Sequence, residues 1–373
     1  MLFALTEEEL LIRDTARTMA QEIAAPLAAV LDRGEGRAQF LANLKTFAEA
    51  GFMAVNVSAE FGGTEAGTAA FALAIEELGY ACASTGVTAS VTNMVAEVIQ
   101  AVGSDEQKRA YIPKIADGTY PAAGFCLTES GAGSDPAGMK TRARRDGDHF
   151  VLDGEKIYIT SAEYAGLFIV WAVTDPEARK GKGISCFLVE AGTPGLSIGK
   201  AERKLGQHGS ATNTVHFDGC RVPAAALMGK LDDGFRIAVG ELAGGRIGIA
   251  ALSLGIARAA MDAAKAYVKE RRQFGQAIAD FQGIQWMVAD RETELEAARL
   301  LILSAAAKKD CGEPFGREAS MAKLFASEAA GRATDTALQL HGGAGYCADY
   351  PVERHVRDAR ITRIYEGTSE VQR

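Results

Sequence analysis

The ten residues Phe150-Val151-Leu152-Asp153-Gly154-Glu155-Lys156-Ile157-Tyr158-Ile159 divide the chain. β-Branched and aromatic residues crowd on both sides of a turn-prone Asp-Gly pair, so the stretch reads as two strands joined near that turn. Leu167 to Val173, Ile184 to Glu190 and Thr214 to Phe217 add β-type runs separated by Gly, Pro and Asp. Six of the nine prolines, from Pro113 to Pro223, fall in this same region. A small β domain over 121–227 is expected.

Outward from it the period changes. From Thr6 to about Pro113 the pattern is helical, and Thr6 with Glu9 three residues on has the form of a capping box. After Gly234 helices return, with a proline-free stretch from Arg246 to Glu270. Ile284, Met287, Val288, Leu295, Ala298 and Ile302 then mark one face at helical spacing. Met321, Leu324 and Phe325 start another such stripe, and core packing is the expectation for all of them. The order is α, β, α: a helical domain over 1–120, the β domain, and a helical domain over 228–373.

The 373 residues are 48% hydrophobic, enough for a substantial core and too much for a disordered chain. Forty Lys and Arg against 48 Asp and Glu leave a net charge of −8 with no basic patch, which argues against nucleic acid as a partner. The six cysteines, at 82, 126, 186, 220, 311 and 347, form no C-x-x-C pair, so no metal site or disulfide scaffold is expected and a reducing cytoplasm is the natural setting. Met1-Leu2-Phe3-Ala4-Leu5-Thr6 runs straight into Glu7, Glu8 and Glu9, unlike a secretory signal. No membrane span is expected, because charge or a breaker interrupts every long apolar run.

Familiar motifs mostly fail. Gly131-Ala132-Gly133-Ser134-Asp135-Pro136 misses the last glycine of a dinucleotide fingerprint. Gly343-Ala344-Gly345-Tyr346-Cys347-Ala348 fits its looser form but follows the helical tract Ala326 to Leu340 instead of a strand. Walker, zinc-protease and nucleophile-elbow motifs are absent. The five histidines show no ligand spacing; His216 reads as a strand residue, and His341 stands before a Gly-Gly pair where a ligand could approach.

Three segments stand out together: Phe125-Cys126-Leu127-Thr128-Glu129-Ser130-Gly131-Ala132-Gly133-Ser134-Asp135, Gln339-Leu340-His341-Gly342-Gly343-Ala344-Gly345-Tyr346, and Arg357-Asp358-Ala359-Arg360 through Ile364-Tyr365-Glu366-Gly367-Thr368-Ser369-Glu370. In these the chain resembles the acyl-CoA dehydrogenases, and the likeness runs along essentially its whole length. The resemblance implies a helical N-terminal domain, a middle β-barrel-like domain and a C-terminal four-helix bundle. It implies FAD as cofactor, an acyl-CoA substrate, an electron-transferring flavoprotein as acceptor, and a homotetramer. An acyl-CoA oxidase-like enzyme, or a catalytically silent flavin-binding assembly protein of the same fold, are the alternatives.

In that family a carboxylate removes the α-proton of the thioester while the β-hydride goes to flavin N5. Glu366 matches this base, and its own N–H would join the flavin ribityl hydroxyl in holding the thioester oxygen. Gly367 would leave room for the thioester. Other relatives carry the base just before the residue matching Arg246; here that position is Gly245. Phe125, Leu127, Thr128, Gly133 and Ser134 match contacts to the flavin, with Ser134 also near the CoA arm. Tyr158, Ile159 and Thr160 match the family's Trp-Ile-Thr; Tyr158 departs from it, and core packing in the β domain competes with a place over the ring. Arg271 matches an arginine that reaches the pyrophosphate across a subunit boundary, through two-oxygen binding; Phe274, Gln282, Gln339, Gly342 and Gly343 match other cofactor contacts, with Gln339 to Gly343 approaching the adenosine part from a neighbouring subunit. Thr368 and Glu370 should also lie near FAD, although Thr368 or Ser369 reads equally as a helix cap.

Arg246 matches an arginine near the substrate. Ala243 replaces an Asp usual in straight-chain relatives, and Ser130 a frequent proline. The Gly-Gly-Arg run, Lys182 to Cys186 and Met321 to Ala326 look closest to isobutyryl-CoA dehydrogenases, with short-chain relatives nearly as similar. Arg373 stands several residues before the family's usual end.

Overall fold

A computed structural model describes residues 5–373; the first four residues, on which part of the reading of the N-terminus rests, lie outside the described ones. Six helices come first: α1 (Glu7–Met19), α2 (Ala25–Asp32), α3 (Arg37–Glu49), α4 (Gly67–Ala81), α5 (Ala83–Val102) and α6 (Asp105–Ala116). The capping box at the start of α1 is present: the Thr6 N–H donates to Glu9 Oε2 at 2.6 Å and the Glu9 N–H to Thr6 Oγ1 at 3.2 Å. Helices α4 and α5 are buried nearly all round, as their alanine-rich sequences permit.

The strands follow: β1 (Ala123–Cys126), β2 (Arg142–Asp146), β3 (His149–Thr160), β4 (Leu167–Val173), β5 (Ile184–Glu190), β6 (Leu196–Ala201), β7 (Thr212–Pro223) and β8 (Leu227–Met228). They form one sheet in the order β6-β7-β3-β2-β4-β5-β8, with β1 parallel to β4. The expected turn at Asp153-Gly154 is corrected: β3 runs unbroken through it, antiparallel to β7, and absorbs the irregularity as a shift of register between Leu152 and Gly154. Gly154 has φ +144°, and a Cβ there would fall 2.6 Å from Thr141 Oγ1, so the glycine serves a bulge pressed against the β2 entry.

Helices α7 (Gly234–Glu270), α8 (Gln282–Asp310), α9 (Gly316–His341), α10 (Val352–Arg360) and the short α11 (Ser369–Gln372) complete the chain, with a two-stranded ribbon β9 (Arg272–Gln273) and β10 (Gln276–Ala277) after α7. α7 is long and apolar enough to cross a membrane, yet 83% of its most apolar window is buried inside the protein. It is the axis on which α4, α5, α8 and α9 pack. Buried Trp171 of β4 donates its indole N–H to the Gly234 carbonyl at 2.8 Å, fixing the start of this axis to the sheet.

Leu295, Ala298 and Ile302 of α8 are core residues, with Ile284, Met287 and Val288 partly buried against them. The stripe begun by Met321 is in part a correction: Phe325 packs against the core, but Met321 is 48% exposed, and the fully buried face of α9 is the alanine row Ala319, Ala322, Ala326, Ala330 and Ala333, because small residues let α9 approach α7 closely. All six cysteines are free thiols, Cys311 and Cys347 at the surface. Among the described residues no group of three or more His, Cys, Asp or Glu is arranged to hold a metal.

Candidate active site

Between the sheet and the helices lies an open cleft of about 890 Å³. One wall comes from the end of β1 and the loop after it: Phe125, Leu127, Thr128, Gly133 and Ser134. A second comes from Tyr158 and Thr160 of β3, a third from Val87 and Val91 of α5 with Leu242, Arg246 and Ile249 of α7, and the last from Tyr365, Glu366 and Gly367. A neighbouring cavity of about 1130 Å³ shares Val87, Tyr158, Thr160 and Tyr365 with it, so the two form one trough.

The β1 wall is held rigidly. Phe125 packs on Trp171, ring centroids 4.3 Å apart. Lys156, fully buried, donates to the Leu127 carbonyl at 3.1 Å and to Glu129 Oε1 at 2.8 Å, and the Glu129 carboxylate accepts the Lys140 and Thr141 N–H groups at 2.6 and 3.0 Å. This buried pair, with every oxygen engaged, ties Leu127 and Glu129 to Lys140 and Thr141. Neither residue stands out as functional in the sequence. The one available signal is a lysine within a β-type run, directly before Ile157-Tyr158-Ile159.

Tyr158 has φ +58° and is 63% exposed, so it faces the trough and is not a core aromatic. Non-glycine residues rarely adopt that conformation. It turns the ring outward, while Ile159 at the next position is buried in the core of the sheet and does not line the trough, a correction to the cofactor contact expected of it.

Glu366 lies in a second left-handed stretch, φ +56°, followed by Gly367 at +93°. The side chain borders the open cleft, but its Oε2 is buried with no hydrogen-bond partner. Desolvation by burial pushes the carboxyl up to about 7, against the opposing pull of Lys323 and Arg246. Among the described residues its N–H donates to no protein acceptor. Gly367 is required by its φ and by Gln372, whose Nε2 would lie 2.5 Å from an added Cβ. Gly245, on α7, packs directly against the carboxylate: an added Cβ would sit 2.9 Å from Glu366 Oε2 and 2.7 Å from Met94 Sδ. Arg246 donates to Ser320 Oγ at 2.9 Å while its buried Nε has no partner. Thr368 caps α11 by accepting the Val371 N–H at 3.3 Å, and Glu370 is exposed outside the cleft lining.

Arg271, Phe274, Gln282, Gln339, Gly342 and Gly343 are not brought to this trough. All are exposed, Phe274 by 93%, and they gather where α7 and α9 end, with Tyr267 stacked on His341. His341 is buried, its Nδ1 at 2.8 Å from the Ala337 carbonyl. Arg271 follows Arg246 by 25 residues, about 37 Å along a helix rising 1.5 Å per residue, more than an extended flavin dinucleotide spans.

The flavin dinucleotide implied by the resemblance fits the trough itself. Its lining alternates apolar surface with the hydroxyls of Thr128, Ser134 and Thr160. Ser210 Oγ, in the wall of the second cavity, is buried without a partner, a group that awaits one. Nothing lies within 4 Å of a Cβ built on Gly133, so that loop leaves open space over the cleft.

Comparison with known proteins agrees with the geometry. Three family models match in order: "Acyl-CoA dehydrogenase, N-terminal domain" over residues 6–119, the middle domain over 124–220 and the C-terminal domain over 232–373. The short/branched chain specific acyl-CoA dehydrogenase, mitochondrial, of Rattus norvegicus is 43% identical over 368 residues, 98% of this chain and 84% of the relative. Butyryl-CoA dehydrogenase from Megasphaera elsdenii superposes with a TM-score of 0.95 at 38% identity, covering 99% of this chain and 97% of the other. A chain solved in the study of the electron transferring flavoprotein of Acidaminococcus fermentans, concerned with flavin-based electron bifurcation, gives 0.96 at 42% identity over 99% and 97%. With all three domains matched in sequence and architecture, the chain belongs to the acyl-CoA dehydrogenases, FAD-dependent enzymes acting on the CH–CH bond of acyl-CoA thioesters.

Proposed function

We propose that the enzyme converts a short or short branched-chain acyl-CoA to the trans-2-enoyl-CoA, with Glu366 as the base that takes the α-proton. The observation carrying this is the unpartnered Glu366 Oε2, buried at the cleft and free to accept a proton there. When bound, FAD supplies the acceptor for the β-hydride. The substrate thus loses one proton and one hydride, and a C=C bond replaces the two C–H bonds.

The chain's own residues do the rest. A carboxyl raised to about 7 is basic enough to remove a proton made acidic by the thioester and is substantially ionised near neutrality. The unengaged Glu366 N–H is a donor for the thioester oxygen as negative charge develops, an interaction stronger in the transition state than in the ground state. Val87, Val91, Leu242 and Ile249 exclude water from the acyl group, and Thr128, Ser134 and Thr160 offer hydroxyls to cofactor or thioester. We place Gly245 beside the base as a spacer. The helix-end cluster of Arg271, Phe274, Gln282, Gln339, Gly342 and Gly343 is too distant along α7 to serve the flavin of its own chain, which supports a homo-oligomer, a tetramer by family habit, in which it serves a neighbour's. The likeness to a chain from an electron transferring flavoprotein study supports such a flavoprotein as acceptor. Six free thiols suit a reducing cytoplasm.

The test is anaerobic bleaching of the yellow holoenzyme by butyryl-, isobutyryl-, isovaleryl- and octanoyl-CoA. Butyryl- or isobutyryl-CoA should bleach fastest; octanoyl-CoA fastest would overturn the short-chain reading. In air, rapid peroxide release without a flavoprotein acceptor would make the enzyme an oxidase instead.

The pH dependence has a definite sign. The base works deprotonated, so kcat/KM should rise with pH through about 7 and level off above it. A profile flat from pH 5 to 8 would remove Glu366 as the titrating group.

A further inference from the structure

Lys323 is fully buried on the alanine face of α9, where a charged side chain has no business unless it is needed. Its one hydrogen-bond partner among the described residues is the Gly367 carbonyl oxygen, 2.6 Å from Nζ, and no carboxylate pairs with it. That same carbonyl also accepts Gln372 Nε2 at 3.0 Å, and Gln372 Nε2 donates to the Glu366 carbonyl at 3.0 Å as well. Two consecutive left-handed residues, one of them a glutamate, are therefore held from behind. The glutamate conformation is one that non-glycine residues rarely adopt, and it persists only where its surroundings enforce it.

A neutral amide could donate to a carbonyl equally well. An ammonium buried without a touching anion needs a compensating charge nearby. Four charged groups face it. Glu328, on its own helix, is engaged by Ser369 Oγ at 2.8 Å and Arg363 at 3.4 Å; Glu370 of α11 is exposed; Arg246 of α7 is a cation turned to Ser320. The remaining one is Glu366, whose Oε2 is buried and unpartnered, and it is the foremost charge acting on Lys323.

We propose that Lys323 is a positioning residue for the base: its ammonium suspends the Glu366-Gly367 turn by the Gly367 carbonyl and favours the ionised carboxylate of Glu366 from across that turn. The inference rests on the reading of Glu366 as base and adds to it a role for a residue that touches neither substrate nor flavin. The field is reciprocal, since Lys323 is also the foremost charge acting on Glu366. Arg246 supplies a second, weaker pull in the same direction.

The test compares holoenzyme of Lys323→Gln, Lys323→Met and Lys323→Arg. Gln keeps a donor toward Gly367 and loses the charge; Met loses both; Arg keeps the charge. Expected is an upward move of the acidic limb of kcat/KM by about one pH unit in Gln and Met, the size of effect one nearby opposite charge exerts, so that turnover of butyryl-CoA at pH 6 falls about tenfold and recovers at high pH. Arg should restore the parental limb. The protonated carboxyl band of Glu366 in infrared difference spectra, identified by its disappearance in Glu366→Gln, should titrate with the same displacement.

A Gln variant whose limb and carboxyl band titrate at the parental pH, whatever its turnover, overturns the inference. So does failure of both neutral variants to fold and retain flavin while Arg is normal, since the charge then serves folding alone. If instead Glu366→Gln bleaches at the parental rate, the base reading itself fails, a result independent of how the Lys323 variants behave.

Discussion

Glu366→Gln is expected to give a yellow protein, with FAD and oligomeric state retained, whose flavin is bleached by butyryl-CoA about 10²- to 10⁴-fold more slowly than in the parent. The expected loss is that of a general base, about 3–5 kcal/mol of activation free energy. The substitution is nearly isosteric, and Oε2 has no protein hydrogen bond to lose, so the turn has little reason to move. Lys323 and Gln372 hold the Glu366-Gly367 segment by its carbonyls, which the change leaves in place, and the Glu366 N–H remains available to the thioester oxygen. Residual turnover should therefore persist, and its pH profile should lack the limb near 7. Stopped-flow bleaching at several pH values reads both features. Bleaching at the parental rate removes Glu366 from proton transfer.

Much of this site is legible in the linear sequence, in a specific way. Residues that meet the cleft through short, continuous motifs stand out: Phe125 to Ser134 at the end of β1, Tyr158 and Thr160 on one strand, Arg246 on α7, and Glu366 with Gly367. Strands β4 and β5 have the bounds their apolar runs suggest, because fully buried strands are continuous apolar segments bounded by turn residues. The hairpin expected at Asp153-Gly154 fails because the same dipeptide that favours a tight turn also suits a bulge, and only the pairing with β7 and the closeness of Thr141 decide between them. What escapes the sequence is support from distant elements. Lys156 with Glu129 and Lys323 under the base join residues far apart in the chain; Gly245 is marked in the sequence as the place of an alternative base, but its contact with Glu366 Oε2 is not. A lysine on a small-residue face of α9 is a visible anomaly, but nothing local says what it faces. The stripe begun by Met321 misleads in part for the converse reason: size suggests core, and Phe325 does pack there, but Met321 is exposed because close packing of α9 on α7 selects alanine.

The pairing of Gly245 with the base leads to the other large effect. Gly245→Ala should raise the intrinsic helix propensity of α7 by about 1 kcal/mol, so the helix itself offers no resistance. The resistance is local: the new methyl would sit 2.7 Å from Met94 Sδ and 2.9 Å from Glu366 Oε2, both closer than such contacts allow. One neighbour must yield. Met94 is buried in the core between α5 and α7, although its side chain is flexible, whereas the Glu366 carboxylate borders open space and can swing toward it. A base displaced by about 1 Å can lose on the order of 10²-fold in rate, and that is the expected fall in kcat, with flavin content and thermal stability near those of the parent. Met94→Ala in the same chain gives the methyl room on the other side, so the double variant should recover at least about tenfold over Gly245→Ala alone. That recovery is a coupling between residues in contact, absent if the two act independently. Single and double variants assayed by anaerobic bleaching resolve the matter. If Gly245→Ala turns over within twofold of the parent, the carboxylate tolerates a methyl at its side, and the glycine is not what keeps the base aligned.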